Sequence, residues 1–343
     1  MRIIHTLDYY HSQYGRPLAV QALAEAQRLA GHEVEILVGD CFGAPGLRAC
    51  NHFRADDLDR KTIARTEHEP WKRWLLDECE EFRPDVIHAH DLADCWAMTG
   101  NSIAPVLLTI GVDYRHPPQP WAYEALEMIR GADWIEYENP DTAGWYLQAG
   151  LTRISWNCSL VAINSEYPRR RQEGLIVSLG RIDELKKQRL LVEAMPRVLE
   201  KCPNARLELA GDGPDRGALE EFTRAAGLEE VVHFSGWTSD PAQALSRADL
   251  AAYPSTSMGF DRVVIESMLL GVPVLTSHAL APVTHYGRFG AYSDDRSFAE
   301  AIILCLQDPD REEKAGQARE HALAHYSPEA SLERTFRSYE RIV

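Results

Sequence analysis

Positive charge is scarce in this chain of 343 residues, where 36 lysines and arginines face 52 aspartates and glutamates and leave a formal net charge of −16. A surface this acidic disfavours general binding to nucleic acid and to anionic lipid, although a local basic patch would still permit weak peripheral membrane contact. No stretch approaches the roughly 18 apolar residues of a membrane span, and the N-terminus is too polar for a signal peptide. We therefore expect no nucleic-acid partner and no transmembrane segment.

Paired cysteines are also missing. The seven cysteines are scattered, odd in number and never spaced as Cys-x-x-Cys. This usage is typical of reduced thiols in a cytoplasmic protein, and it argues against a disulfide framework or a zinc-binding cysteine cluster. The chain has no low-complexity tract or internal repeat, and it is long enough for two globular domains of ordinary size.

Short apolar runs alternate with helical patterns in both halves of the chain, as in parallel sheets covered by helices. The first 38 residues predict a strand, a helix and a strand, and the pattern restarts with a buried strand at Leu175–Leu179. Between them, the stretch 164–174 carries three consecutive arginines; we interpret it as a solvated linker, with contact to anionic lipid or phosphate as the alternative. The expected fold is α/β, with two Rossmann-like doubly wound domains facing a central cleft. The predicted divisions are residues 1–165, residues 166–326 and a final helix in residues 327–343.

The most informative segment runs from Pro254 to Val274 and reads as a strand end, a glycine-containing turn, a short helix and another strand. The turn presents backbone N–H groups at the helix start, near Asp261, where the helix dipole favours an anion. Glu266 lies about one turn inside the helix, where its carboxylate can accept hydrogen bonds from sugar hydroxyls. The alternative is a glutamate favoured by the helix dipole alone. The segment therefore predicts a site for a phosphorylated sugar.

This segment resembles the donor-site motif of family 4 retaining glycosyltransferases, which have the GT-B fold. The residues that match are Gly259, Phe260, Glu266, Met268, Gly271, Pro273 and Val274. Two positions depart from the family, since Met258 replaces a glutamate and Asp261 replaces a glycine. The resemblance implies a donor site that includes Met258, Gly259, Phe260, Arg262, Val263 and Glu266, with Glu266 on the nucleotide ribose. It also implies that the final helix crosses back to the N-terminal domain.

A second segment, from Gly180 to Lys186, is similar to the family's Gly-Arg-Leu segment with its following lysine. Arg181 and Lys186 are predicted to clamp the diphosphate and to neutralise the leaving group. The alternative is a pair of plain surface charges on a loop. Lys187 stands at the family's usual glycine position, so either lysine could be the ligand.

Two further donor contacts follow from the same resemblance. The sequence Gly211-Asp-Gly213-Pro is by itself only a turn signature, but it matches the family's strand-end loop beside the nucleotide. Trp237 stands where the family contacts the base, with partial burial in the core as the alternative.

The first half carries weaker signals. Gly15 remains from a Gly-Gly turn that contacts phosphate or acceptor in the family, and Gly111 replaces the family's histidine in a Thr-x-His motif. Asp113 and His116 lie nearby and could serve in its place, or they are plain loop residues.

Two histidines of the first half, His88 and His90, share one face of a predicted strand, so a zinc site is conceivable. No third ligand appears at a suitable spacing, and we predict no metal.

The implied reaction transfers a sugar from a UDP-, GDP- or other nucleotide sugar to a small-molecule, glycan or lipid-linked acceptor, with retention at the anomeric carbon and without a cofactor. The residues expected to take part in catalysis are Arg181, Lys186, Asp113 and Asp261. The replacement of the family's glutamate by Met258 has three possible consequences. The donor sugar is a deoxy or otherwise modified one, or Asp261 supplies the missing carboxylate, or the sugar subsite is inactive. The rival functions are a non-catalytic sugar-nucleotide-binding or partner protein and a nucleotide-sugar epimerase or hydrolase.

Overall fold

The chain forms two compact units in a computed structural model. The first unit comprises Met1–Ala162 and Pro328–Val343, and the second comprises Ile163–Ser327. The structure describes residues 1–11, 15–42, 47–49, 69–111, 122–138, 142–158, 160–161, 163–255, 262–277, 291–292 and 298–343. Among these residues, no helix is both long enough and apolar enough to span a membrane.

The first unit contains a parallel sheet of seven described strands. They are β1 (Arg2–His11), β2 (Glu33–Phe42), β3 (Arg48–Ala49), β4 (Val86–Ala89), β5 (Val106–Ile110), β6 (Trp134–Tyr137) and β7 (Ile154–Trp156), in the spatial order β3-β2-β1-β4-β5-β6-β7. The helices between them are α1 (Gly15–Leu29), α2 (Glu69–Phe82), α3 (Leu92–Met98), α4 (Ala122–Ile129) and α5 (Ala143–Gln148). Since β1 pairs with both β2 and β4, the sheet grows first to one side of β1 and then to the other.

The second unit repeats this plan with six described strands. They are β8 (Leu175–Leu179), β9 (Arg206–Ala210), β10 (Val232–Phe234), β11 (Leu250–Tyr253), β12 (Val274–Ser277) and β13 (Ala291–Tyr292), in the order β10-β9-β8-β11-β12-β13. Its helices are α6 (Arg189–Lys201), α7 (Arg216–Ala225), α8 (Pro241–Ser246), α9 (Arg262–Leu269), α10 (Phe298–Gln307) and α11 (Arg311–Tyr326). The prediction of two doubly wound parallel sheets is confirmed.

The strands at the centres of the two sheets are largely buried, which explains their nearly continuous apolar sequences. Every residue of β4 and of β8 is buried. Helices cover the sheets with apolar side chains four residues apart, such as Trp71 and Leu75 of α2 and Leu191 and Met195 of α6. This burial holds each sheet rigid, so the loops at its carboxyl end have a fixed base.

A last helix, α12 (Pro328–Tyr339), belongs to the first unit although it follows the second in sequence. It packs on α1. Tyr339 is fully buried, and the Phe336 ring lies 4.7 Å from the His32 ring. The helix therefore contributes core residues to the first unit.

The arginine run before β8 is largely exposed, as interpreted, but two of its members also bind groups of the second unit. Arg169 donates to the backbone carbonyls of Ser246 and Ala248. Arg171 donates to the buried carboxylate of Asp249 over 2.7 Å. These contacts hold the segment that precedes β8 against the end of α8 and the residues just before β11, all within the second unit.

Candidate active site

The strand orders define where each sheet would hold a ligand. Doubly wound sheets bind ligands outside the carboxyl ends of the strands, where the direction of sheet growth reverses. In the second unit this switch point lies between β8 and β11, and in the first it lies between β1 and β4. The predicted phosphate-binding segments, after β8 and after β11, both follow strands at the switch point of the second sheet.

Two glycines let the loops after β8 and β9 pack backbone against backbone. A Cβ on Gly211 would lie 1.9 Å from the carbonyl oxygen of Gly180, and one on Gly213 would lie 2.2 Å from that of Ile182. Two hydrogen bonds hold the same contact, and the chain after β8 donates both: Gly180 N to Ala210 O and Ile182 N to Asp212 O, each over 2.9 Å. The two predicted donor loops therefore form one rigid platform that carries Arg181.

Asp183 organises the positive charges on this platform. Its carboxylate lies 3.1 Å from Arg181 Nε and accepts the backbone N–H of Lys186 over 3.0 Å. The Arg181 carbonyl accepts from the Gln188 amide at 2.7 Å, which fixes the chain on the other side. Arg181 is about half exposed and Lys186 partly exposed, so both are accessible to a ligand.

The same loop is tied to the end of β11. Ser255 Oγ donates to the Leu185 carbonyl over 3.3 Å, and the Ser277 hydroxyl donates to the Ser255 carbonyl. The loop of Arg181 and Lys186 is thus joined to the residue that precedes the predicted phosphate-binding turn.

Helix α9 begins at Arg262, and its first turn contains Val263 as predicted for the helix start. Glu266 lies one turn inside, where its side chain is 8% exposed and pairs with Arg262 Nη2 over 3.4 Å. A dipole-stabilised surface glutamate would be exposed, so the burial of Glu266 favours a specific contact. Its role on the nucleotide ribose stays a prediction.

Trp237 lies beyond the end of β10 and is 50% exposed. Half of its surface is therefore accessible, and its contact with a base stays a prediction. Four of the predicted donor residues lie outside the described residues, namely Met258, Gly259, Phe260 and Asp261.

In the first unit, Gly15 is the first residue of α1, and Asp113 and His116 lie outside the described residues. The adjacent Arg16 forms a 2.5 Å ion pair with Asp91, which caps the start of α3 by accepting the Leu92 N–H over 2.6 Å. This pair lies at the switch point of the first sheet.

Gly111 follows β5 directly, and the space beside its Cα is filled by Glu138, which follows β6. A Cβ on Gly111 would lie 2.1 Å from Glu138 Oε2 and 3.9 Å from Arg16 Nη2. Glu138 is buried, and its N–H donates to the Ile110 carbonyl over 3.0 Å. A carboxylate therefore occupies the position where Gly111 lacks a side chain.

A third imidazole joins His88 and His90, so the expectation that none is available is wrong. The parallel register pairs His5 of β1 with His88 of β4, and ligand atoms of the three histidines lie within 4.8 Å of one another. However, the His88 and His90 rings are stacked with centroids 4.1 Å apart and planes 27° apart, so their lone pairs do not converge on one point. Both nitrogens of His5 and of His88 are also engaged in hydrogen bonds. The absence of a metal stays a prediction.

These hydrogen bonds form a directed chain through the core. Gln27 Oε1 only accepts, so His5 carries its proton on Nε2, which lies 2.7 Å away. His5 Nδ1 then accepts from His90 Nε2 over 2.9 Å. The amide nitrogen of Gln27 donates to the Tyr339 hydroxyl over 3.1 Å.

The Tyr339 hydroxyl continues the chain by donating to His88 Nδ1 over 2.8 Å. His88 Nε2 donates to Thr109 Oγ1 over 2.7 Å, and the threonine hydroxyl donates to Glu136 Oε2 over 3.3 Å. Burial lowers the pKa of His5 to about 4, and burial together with neighbouring imidazoles lowers the pKa of His88 and of His90 well below the usual value. Neutral imidazoles are what this chain of donors and acceptors requires.

Comparison with known proteins identifies the second unit. Residues 173–308 match the family model described as Glycosyl transferases group 1. The chain is 28% identical over 312 residues to the lipopolysaccharide core biosynthesis glycosyltransferase LpsE of Rhizobium meliloti (strain 1021), with 85% of this chain and 83% of that protein covered.

Two further similarities extend over nearly all of the chain. It is 24% identical over 355 residues to the GDP-mannose-dependent alpha-(1-6)-phosphatidylinositol dimannoside mannosyltransferase of Mycobacterium tuberculosis (strain ATCC 25177 / H37Ra), with 91% of this chain and 89% of that protein covered. The crystal structure of Anabaena Alr3699/HepE in complex with UDP and glucose superimposes with a TM-score of 0.79 at 17% identity, covering 100% of both chains. The GT-B fold predicted for this glycosyltransferase homologue is confirmed.

The sequence did not single out three residues of this glycosyltransferase homologue. Arg16 and Asp91 lie beside residues with other predicted roles, Gly15 and His90, and no local motif marks Glu138. The position of Glu138 along the chain could have revealed it. Glu138 follows β6 as Gly111 follows β5, and β5 and β6 are neighbours in the sheet. Residues just past adjacent parallel strands meet at one edge.

Proposed function

We propose that this protein transfers a sugar from a nucleoside-diphosphate sugar to an acceptor hydroxyl, with retention of the anomeric configuration and without a divalent metal. The observation that carries the proposal is the platform after β8 and β9, which presents Arg181 and Lys186 at the switch point of the second sheet. Two cations on a loop that is tied to the end of β11 suit a diphosphate, and they supply the charge that a metal would otherwise provide.

The roles of the side chains follow from their chemistry. Arg181 and Lys186 stabilise the negative charge that grows on the diphosphate as the bond between the anomeric carbon and the phosphate oxygen breaks. Glu266 accepts hydrogen bonds from the ribose hydroxyls, and Trp237 stacks on the base. The acceptor hydroxyl attacks from the same face, and its proton passes to the departing phosphate oxygen.

The similar proteins support this choice of donor. One is named as GDP-mannose-dependent, and another was crystallised with UDP and glucose. We propose a UDP- or GDP-sugar as donor and a role in carbohydrate biosynthesis. We also propose a cytoplasmic location, since the described cysteines are unpaired thiols.

The test is to incubate the protein with UDP-glucose, UDP-galactose, UDP-N-acetylglucosamine or GDP-mannose and simple glycosides, with and without EDTA. We expect nucleotide release, a product one sugar heavier by mass spectrometry, an unchanged anomeric configuration by NMR and no effect of EDTA. Tight nucleotide binding without any turnover would instead support the sugar-nucleotide-binding protein. Release of free sugar or a changed donor without an acceptor would indicate a hydrolase or an epimerase.

A further inference from the structure

Three charged side chains surround one point at the carboxyl edge of the first sheet. Arg16 Nη1 lies 2.5 Å from Asp91 Oδ2, and Arg16 Nη2 lies 3.9 Å from the Cβ position of Gly111, which Glu138 Oε2 approaches to 2.1 Å. Asp91 and Arg16 are about one-third exposed, whereas Glu138 is buried. The guanidinium therefore lies near both carboxylates, at the place where a doubly wound sheet binds its ligand.

Gly111 is the condition for this arrangement. Any other residue would place its Cβ inside the Glu138 carboxylate and displace it. The Glu138 side chain can therefore keep its position only because residue 111 is a glycine.

A buried acid behind the edge is an independent sign of a ligand. Asp94 of α3 is fully buried, and neither of its oxygens has a hydrogen-bond partner among the described residues; the Trp71 indole N–H approaches without completing a bond of normal geometry. Burial, followed by the charges of Asp8 and Asp91, raises the pKa of Asp94. Asp94 lies three residues after Asp91 in the first turn of α3, so it is one helical turn from the charged cluster.

The charge at this edge decides which ligand fits. Asp91 already neutralises Arg16, and Glu138 and Asp8 add negative charge among the described residues. Among the described residues at this edge, a phosphate or carboxylate would meet like charge and a guanidinium already paired with Asp91, whereas a sugar hydroxyl can donate to a carboxylate and accept from the guanidinium.

We propose that Glu138 and Asp91, held by Arg16, form the acceptor subsite of this glycosyltransferase and select a neutral, hydroxyl-rich acceptor over an anionic one. This proposal rests on the sugar-transfer function proposed above. Glu138 and Asp91 accept hydrogen bonds from acceptor hydroxyls, so they determine specificity on the acceptor side and leave nucleotide binding to the second unit.

The experiment compares wild type with Glu138→Gln, Asp91→Asn and Gly111→Ala. The controls are Glu127→Gln, the same chemical change on an exposed residue of α4, and Gly144→Ala, where a Cβ meets nothing within 4 Å. The probes are methyl α-D-glucopyranoside and methyl α-D-mannopyranoside as neutral acceptors and glucose 6-phosphate as the anionic one. Circular dichroism checks that each variant is folded.

We expect wild type to use the neutral glycosides at least tenfold better than glucose 6-phosphate. Glu138→Gln and Gly111→Ala should each raise KM for the neutral glycosides about tenfold, narrow that preference, and leave Kd for UDP unchanged, since one charge-assisted hydrogen bond is lost. A preference for glucose 6-phosphate, or variants that match the controls, would overturn the proposal.

Direct binding separates this subsite from the function on which it rests. Saturation-transfer NMR with the methyl glycosides needs no donor and no turnover. Binding that is lost in Glu138→Gln supports the subsite even where no donor is ever used. Transfer activity with glycoside binding unaffected by Glu138→Gln refutes the subsite and leaves the proposed function standing.

Discussion

The hydroxyl of Tyr339 donates to Nδ1 of His88 over 2.8 Å, and this bond joins the last helix of the chain to the centre of the first sheet. The same hydroxyl accepts from the Gln27 amide over 3.1 Å. One oxygen atom therefore satisfies two buried groups on two different elements, α1 and β4.

Removing that oxygen is the first test. Tyr339→Phe keeps the ring but leaves His88 Nδ1 and the Gln27 amide without their partner. An unsatisfied buried polar group costs about 1–3 kcal/mol, so we expect the free energy of unfolding to fall by about 2 kcal/mol or more. Urea denaturation measures it, with Tyr167→Phe, a half-buried tyrosine of the second unit, as the control. Equal stability of wild type and Tyr339→Phe would show that the bond contributes nothing.

The three buried imidazoles predict a dependence of stability on pH. Their pKa values are lowered in the folded state, to about 4 for His5, so between about pH 6.5 and 4 the unfolded chain binds protons that the folded protein does not. The free energy of unfolding is not reduced by these imidazoles above about pH 6.5, and it falls as the pH falls through this window.

The raised pKa values of Asp94 and Glu136 act in the opposite direction, because they favour the folded state at low pH. A histidine variant is therefore needed to isolate the contribution of the imidazoles. In His90→Gln the stability gained between pH 5 and pH 6.5 should shrink by up to about 1.4 kcal/mol per pH unit. Urea midpoints of both proteins at four pH values measure the difference. Parallel pH profiles would mean that His90 titrates alike in the folded and unfolded states.

The glycine platform predicts a sharp contrast between two Gly→Ala substitutions. Gly211→Ala places a methyl group 1.9 Å from the Gly180 carbonyl, so the loop of Arg181 must move and UDP binding should weaken at least tenfold. Gly217→Ala, in α7 where a Cβ meets nothing within 4 Å, should leave binding unchanged and stabilise the helix by up to about 1 kcal/mol. Isothermal titration with UDP decides the matter, and similar affinities for both variants would contradict the proposed contact.

Lys187 adopts a φ of 51°, in the left-handed region that glycine tolerates best. Lys187→Gly and Lys187→Asn should therefore keep or raise the melting temperature. Lys187→Val should lower stability by about 1 kcal/mol or more, because a β-branched residue is strained there. Arg83, which follows α2, has a φ of 52°, so the same three substitutions there should have the same effects in the first unit. A valine variant as stable as the glycine variant would refute the strain.

The phosphate clamp predicts selective losses. Arg181→Ala and Lys186→Ala should each weaken UDP or GDP binding ten- to hundredfold, the effect of losing a charge-assisted contact of about 1.5–3 kcal/mol. Arg189→Ala removes an exposed arginine from the neighbouring α6, where it pairs with Glu193, and should have little effect. Unchanged affinity in both clamp variants would show that the donor site lies elsewhere.

The local pattern of the sequence predicted elements that are apolar and clearly bounded. The strand Leu175–Leu179 has the predicted ends because it is continuously buried and lies between Gly174 and Gly180. Helix α11 was not predicted, because its buried positions are the small residues Ala315, Ala318 and Ala322, which form no strong apolar stripe.

The donor loops could be found from sequence because each is a short motif, but their packing could not. The contact between Gly211 and Gly180 depends on the pairing of β8 with β9, which joins segments about thirty residues apart. The approach of Glu138 to Gly111 and of His5 to His88 depends in the same way on strand register, which no local pattern encodes.

The return of α12 to the first unit has a consequence for synthesis on the ribosome. The residues of the first sheet emerge first, yet Gln27 and His88 must wait for the Tyr339 hydroxyl until the whole second unit has been made. Because domains generally fold as they emerge, the hydrogen-bond chain of the nascent first unit stays incomplete until α12 has been made. Its final packing therefore comes after the synthesis of the second unit, because the helix that completes it is translated after that unit.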